Sequence, residues 1–251
     1  MSQPIVLMYH GFGTRSRGDD PHNLFVPVED LERQIRLVAR LFRPLDLSGY
    51  LEGLRRGRWP SRSILVTIDD GYVSTLEVAA PLLRRHRVPA VLFALPGLLG
   101  GTTAWMLDLP PEPLLSAEQL RELRGFGIEI GAHGLDHRLL PGLAPEELRR
   151  QVVGARDGVA AVTGAPPRAF AYPEGAIDDA TLEAVREAGY EVAFSVHRGG
   201  GRYSVPRIPV TTRDSFLTFG GKLLPGYRRL ERAVRGRPRR VAARLLGHRP
   251  V

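Results

Sequence analysis

The 251-residue chain contains no cysteine. Disulfides and thiolate ligands are therefore excluded, and the redox compartment is left open. No apolar run approaches the roughly 20 residues of a membrane-spanning helix. Nor do a basic segment, an apolar stretch and a cleavage site precede the first strand-like run, because Met1-Ser-Gln-Pro4 leads directly into Ile5–Tyr9. The expectation is a cytoplasmic protein without a signal peptide, at most peripheral to a membrane. Acidic residues are nearly missing from one region only: residues 222–251 hold ten Lys or Arg against a single acid, Glu231. With +9 in that tail and +8 overall, the preceding residues sum to −1. A neutral body argues against nucleic acid as a partner, since a phosphate footprint needs cations spread over the folded face. The expected organisation is one domain over 1–221 and a basic, partly helical tail over 222–251.

What the chain does have is alternation. Strand-like apolar runs recur at 5–9, 64–68, 90–94, 128–132, 169–172, 191–196 and 205–210. Helical patterns lie between most of them. Leu31, Ile35, Val38 and Leu41 define one face of a helix over 28–41. Ser48 is the expected N-cap of 49–56, and Ser116 that of 117–124. Further helices are expected over 75–86, 145–162 and 178–188, the last stopped by Gly189. Strands alternating with helices imply a parallel sheet with right-handed crossovers. A flat doubly wound sheet and a distorted (β/α) barrel of about seven strands both fit. The barrel is favoured because His10, Asp69, Asp70, His133, Pro173 and His197 all follow strand-like runs, and barrel sites are built at the C-terminal strand ends.

The densest chemistry is in two stretches. Ile64, Leu65, Val66 and Ile68 run into Asp69, Asp70 and Gly71. Adjacent carboxylates at the mouth of a buried strand repel each other and cost several kcal/mol to desolvate without a cation, although Asp-Gly also marks ordinary turns. The second stretch, Gly131-Ala-His-Gly-Leu-Asp-His137, follows another strand. His133 and His137 can be turned to one point by a helical turn or a tight loop. Two imidazoles and one carboxylate make a three-ligand set with a coordination position left for water, as in catalytic zinc sites. A second carboxylate is left over as a base toward that water.

On these residues the chain resembles the polysaccharide deacetylases, the NodB-homology carbohydrate esterases. The family's Thr-Phe-Asp-Asp-Gly motif stands here as Thr67-Ile68-Asp69-Asp70-Gly71. Its His-Ser/Thr-x-x-His motif stands as His133-Gly-Leu-Asp-His137, with Gly134 in place of the usual hydroxyl residue. Its Phe-x-Tyr-Pro-x-Gly motif stands as Phe170-Ala-Tyr-Pro-Glu-Gly175. Leu7-Met-Tyr-His10 resembles a Leu-x-His motif displaced to the N-terminus, as in permuted members. The likeness extends from Ile5 to about Phe219.

The resemblance implies a metal-dependent hydrolase that removes N-acetyl groups from a carbohydrate substrate by metal-activated water. Asp70, His133 and His137 would hold a divalent metal, zinc first, with cobalt, nickel or iron also tolerated. Asp69 would be the base, and the backbone N–H of Glu174 would stabilise the oxyanion. Glu174 stands where relatives commonly have an aromatic. The arginine steadying the base is Arg207 or Arg168, with Arg207 favoured by its apolar neighbours Val205 and Ile208. His10 is the expected general acid over His197, which leads into a glycine run. Trp105 is read as a plug or as a sugar-stacking platform, and His22, His86 and His248 as solvated. Alternatives on the same fold are a catalytically silent carbohydrate-binding protein, an O-acetyl esterase or another amide hydrolase. In the tail, segments 228–235 and 239–247 carry an apolar edge on a basic surface, which suits peripheral contact with an anionic membrane.

Overall fold

A computed structural model describes residues 3–16, 18–107, 110–196, 201–224 and 226–227. The elements in chain order are β1 (Ile5–Tyr9), β2 (Gly11–Phe12), β3 (Phe25–Val26), α1 (Val28–Leu41), β4 (Arg43–Pro44), α2 (Leu47–Arg56) and β5 (Ser63–Ile68). They continue with α3 (Ala80–Arg85), β6 (Ala90–Ala94), α4 (Ala117–Leu123), β7 (Ile128–Ala132), α5 (Pro145–Thr163), β8 (Ala169–Ala171) and α6 (Asp179–Glu187). The last are β9 (Val192–Ser195), β10 (Val205–Pro206), β11 (Ile208–Pro209) and α7 (Phe216–Lys222). Among the described residues no helix is long and apolar enough to cross a membrane.

The main sheet runs β10-β9-β8-β7-β6-β5-β1-β11, with every pair parallel. Only Arg207 separates β10 from β11, so one short segment pairs with both ends of the sheet and closes it into a distorted barrel. A single strand was expected over 205–210. It divides because Pro206 and Pro209 have no amide hydrogen to give a ladder. Val205 then pairs with Phe194 and Ile208 with Leu7.

Side chains alternate across the barrel wall. Ile64, Val66, Leu92, Ile130 and Phe170 face outward into the layer shared with the helices, where α1 buries Leu31, Ile35 and Val38. Val6, Leu65, Phe93, Ala171, Val192 and Phe194 fill the interior, and Leu47, Tyr50 and Leu51 of α2 pack beneath them. The interior is full: a Cβ on Gly131 would lie 2.6 Å from the Phe93 ring and 2.9 Å from the Ala169 carbonyl. Continuing each inward row past its strand end leads to the mouth. Val6 and Met8 are followed by His10, Leu65 and Thr67 by Asp69, and Gly131 by His133. The site is the top layer of the core, made polar.

Several local expectations shift. Helix α2 is capped by Asp46, whose carboxylate accepts from the Gly49 amide at 2.7 Å. Ser48 lies inside that helix and accepts instead from Arg168 at 2.9 Å. The helix expected over 75–86 begins as a π-helical turn, Thr75–Ala79, before α3. Pro81 supplies no amide to the carbonyl four residues back, a condition under which a wider turn forms. His86 is not solvated: it ends α3 half-buried, its Nε2 3.9 Å from Glu32 of α1. The packed body also passes the boundary expected after 221, since Leu223 is buried and Tyr227 packs on the core. His197, His248 and the segments 228–235 and 239–247 lie outside the described residues.

Candidate active site

Asp69 and Asp70 leave β5 in opposite directions because the backbone turns sharply between them. The Asp69 amide is tied to the Tyr9 carbonyl of β1 at 2.9 Å. Asp70 and Gly71 then take φ of +70° and +82°. Aspartate tolerates this left-handed conformation better than most L-residues because of its short polar side chain.

Asp69 is buried and gripped by Arg207. The guanidinium donates in a two-pronged fork, Nη1 to Oδ1 at 2.6 Å and Nη2 to Oδ2 at 2.7 Å. Burial works against ionisation of Asp69, but Arg207, with His133 and His10 behind it, prevails and holds the carboxyl below the usual carboxylate range. The guanidinium lies over the Phe93 ring at 5.5 Å and donates to the Thr67 hydroxyl at 3.3 Å. Thr67 in turn donates to the Leu7 carbonyl at 2.7 Å. It is an orienting residue that motif spacing alone did not single out, although it stands two positions before Asp69 on the inward row. Arg168 is elsewhere. It precedes β8 at the other end of the barrel and forks onto Glu129 at 2.9 Å.

Asp70 faces the histidines. Its Oδ1 lies 3.4 Å from the Nε2 atoms of both His133 and His137. His133 Nδ1 is 2.8 Å from the Ala171 carbonyl, which can only accept, so Nδ1 carries the hydrogen and Nε2 presents its lone pair. His133 and His137 belong to a loop, with Gly134 at φ +80° and His137 at +62°. At Gly134 this conformation would strain a residue bearing a Cβ.

Does this triad suit a metal? The candidate ligand atoms of Asp70, His133 and His137 all lie within 4.8 Å of one another. Asp70 Oδ1 is buried and, among the described residues, lacks a hydrogen-bond partner. A buried carboxylate oxygen facing two imidazole nitrogens is costly unless a cation lies between them. Burial lowers the pKa of His133, yet the Asp69 and Asp70 carboxylates outweigh it and raise the pKa overall. At His137 burial prevails over Asp70 and lowers the pKa, so the fit to a divalent metal rests on the donor set itself, two imidazole nitrogens and one orphaned carboxylate oxygen.

The triad opens into a cavity of about 510 Å³ whose wall includes His10, His22, Trp105, Met106, Glu174 and Val210. His10 Nε2 is 4.0 Å from Asp69 Oδ2. Trp105 stacks on the His137 ring, centroids 4.9 Å apart and planes 21° apart. It packs against one candidate ligand while lining the cavity wall. His22, expected in solvent, is exposed but lines this cavity. Two residues before it, buried Asp20 accepts from the Leu24 and Phe25 amides at 2.7 and 3.0 Å and ties the loop down. Glu174 follows buried Pro173 with φ 56° and ψ 8°.

A family model described as polysaccharide deacetylase matches residues 56–193. A poly-beta-1,6-N-acetyl-D-glucosamine N-deacetylase of Staphylococcus epidermidis is 28% identical over 245 residues, covering 86% of this chain and 81% of that protein. IcaB from Ammonifex degensii superposes with a TM-score of 0.75 at 25% identity, over 88% of this chain and 97% of that one. The deacetylase PplD of Streptococcus pyogenes shares the fold, with a TM-score of 0.78 at 21% identity over 89% of this chain and 99% of that one.

Proposed function

The chain belongs to the polysaccharide deacetylase family, and from that premise we propose that it hydrolyses the N-acetyl groups of an N-acetylated amino-sugar polymer with a divalent metal, zinc first. It is a hydrolase of carbohydrate substrates. The observation that carries the metal-dependent reading is the division of labour between adjacent carboxylates: Asp69 is held by Arg207, while Asp70 turns an unpartnered oxygen to two imidazoles.

Asp70, His133 and His137 would hold the metal, which when bound supplies Lewis acidity toward the acetyl carbonyl and toward the attacking water. Asp69 accepts a proton from that water as its oxygen bonds to the carbonyl carbon. Arg207 keeps Asp69 ionised for the purpose. The Glu174 backbone N–H donates to the carbonyl oxygen as it gains charge. His10 gives a proton to the amine nitrogen as the carbon–nitrogen bond breaks, and acetate and an amino sugar leave. Trp105 shields one face of the His137 ring from water.

The test is metal content together with acetate release from an N-acetylglucosamine oligomer and from an O-acetylated glycan. Metal binding with release from the first supports the proposal. Release only from the O-acetylated glycan makes the protein an esterase, and release from neither leaves a carbohydrate-binding protein or a hydrolase of another amide.

A further inference from the structure

Glu174 is a carboxylate at the cavity wall that, among the described residues, interacts with His137 only at a distance. Of the other two carboxylates there, Asp69 is paired with Arg207, and Asp70 faces the two imidazoles at 3.4 Å. Among the described residues the Glu174 carboxylate makes no hydrogen bond and has no ion pair within 4.0 Å; the nearby charge it acts on is His137. Its backbone is strained as well, with φ 56° in a residue type that lacks the short side chain by which Asn and Asp ease that conformation. Nor can the turn relax. Pro173 is buried on one side, and on the other Gly175 has φ 63°, with space for a Cβ closed by Val196 at 2.6 Å. An exposed side chain on a rigid, strained turn is thus presented to the cavity without a bond that the fold needs.

The reaction suggests what it meets. Each turnover converts a neutral acetamide into an amine, which is an ammonium at neutral pH, so the polymer grows more cationic as it is processed. Beside a divalent metal, a chain carrying such groups would be repelled unless an anion stood nearby. We propose that Glu174 is a specificity residue that receives the ammonium of an already deacetylated sugar neighbouring the acetamido sugar under attack. This rests on the deacetylase reading above and adds to it a preference for partly deacetylated chains.

The experiment compares kcat/KM of the metal-loaded enzyme on a fully acetylated N-acetylglucosamine tetramer and on the same tetramer bearing one free amine. The native enzyme should favour the second about fivefold, the upper end for a solvent-exposed ion pair, and the ratio should shrink in 0.5 M salt, where the Debye length is only about 4 Å. Glu174→Gln should bring the ratio to about one, and Glu174→Lys should invert it. A native ratio of one, or an unchanged ratio in Glu174→Gln, overturns the proposal. So does an equal loss on both tetramers, which would mean that the side chain serves the reaction itself. If neither tetramer releases acetate, the deacetylase reading has failed rather than this one. Titration with a glucosamine tetramer then decides: weaker binding by Glu174→Gln sustains the proposal and equal binding ends it.

Discussion

Asp69 and Asp70 are chemically identical neighbours with opposite tasks, and their partners make the difference. His133→Ala or Asp70→Ala should leave the purified protein without stoichiometric metal by elemental analysis. Asp69→Asn should retain metal while turnover falls by about 10²–10⁴-fold, the usual loss on removing a general base. Full metal occupancy in His133→Ala would refute the assignment of the triad. The pH profile gives a second handle. Burial alone would raise the Asp69 pKa, and Arg207 is the first group that lowers it. In Arg207→Met the largest part of that opposition is gone, leaving His133 and His10, so the carboxyl protonates at higher pH and the acid limb of kcat/KM should move upward. Arg207→Lys, which keeps the charge without the fork, should move it less. An unmoved acid limb in Arg207→Met would show that Asp69 does not govern it.

At the scale of elements, the strands were legible because apolar runs of strand length bounded by turns have few other readings. The motifs were legible because their residues follow those runs directly. Arg207 and Arg168 could not be separated with certainty from flanking residues, since both precede or interrupt strand-like segments and only topology puts them at opposite ends of the barrel. The orienting role of Thr67 and the packing of Trp105 on His137 escaped for the same reason: each is a contact across tens of residues. So did Gly131, an ordinary glycine in a strand until the ring of Phe93 is seen where its Cβ would go. Because Phe93 underlies Arg207, Gly131→Ala should do more than destabilise by the roughly 1–3 kcal/mol of an overpacked core. Thermal unfolding should show that loss, and kcat should fall although residue 131 touches no candidate ligand. A lowered unfolding temperature with unchanged kcat would separate the core from the site.

Across the whole molecule, charge is unevenly distributed. The described body reaches Tyr227, and the chain beyond it is rich in arginine. Each cation near an anionic bilayer contributes about 1 kcal/mol. A chain ending at Tyr227 should hydrolyse a soluble oligomer as the full chain does, yet sediment less with phosphatidylserine-containing vesicles at low salt. Equal sedimentation of the two would assign the basic stretch another task.

The seam at Arg207 also has a bearing on birth order. Leu7 pairs with Ile208, so the ring closes only once residue 208 has been made, and joining strands that far apart in sequence is entropically slow. Asp70, His133 and His137 leave the ribosome well before residue 207. The groups suited to capturing a cation are therefore delivered first, and the one that readies the base arrives with the last strand. Hydrolytic competence thus waits on residue 207, by nothing more than the order of the residues.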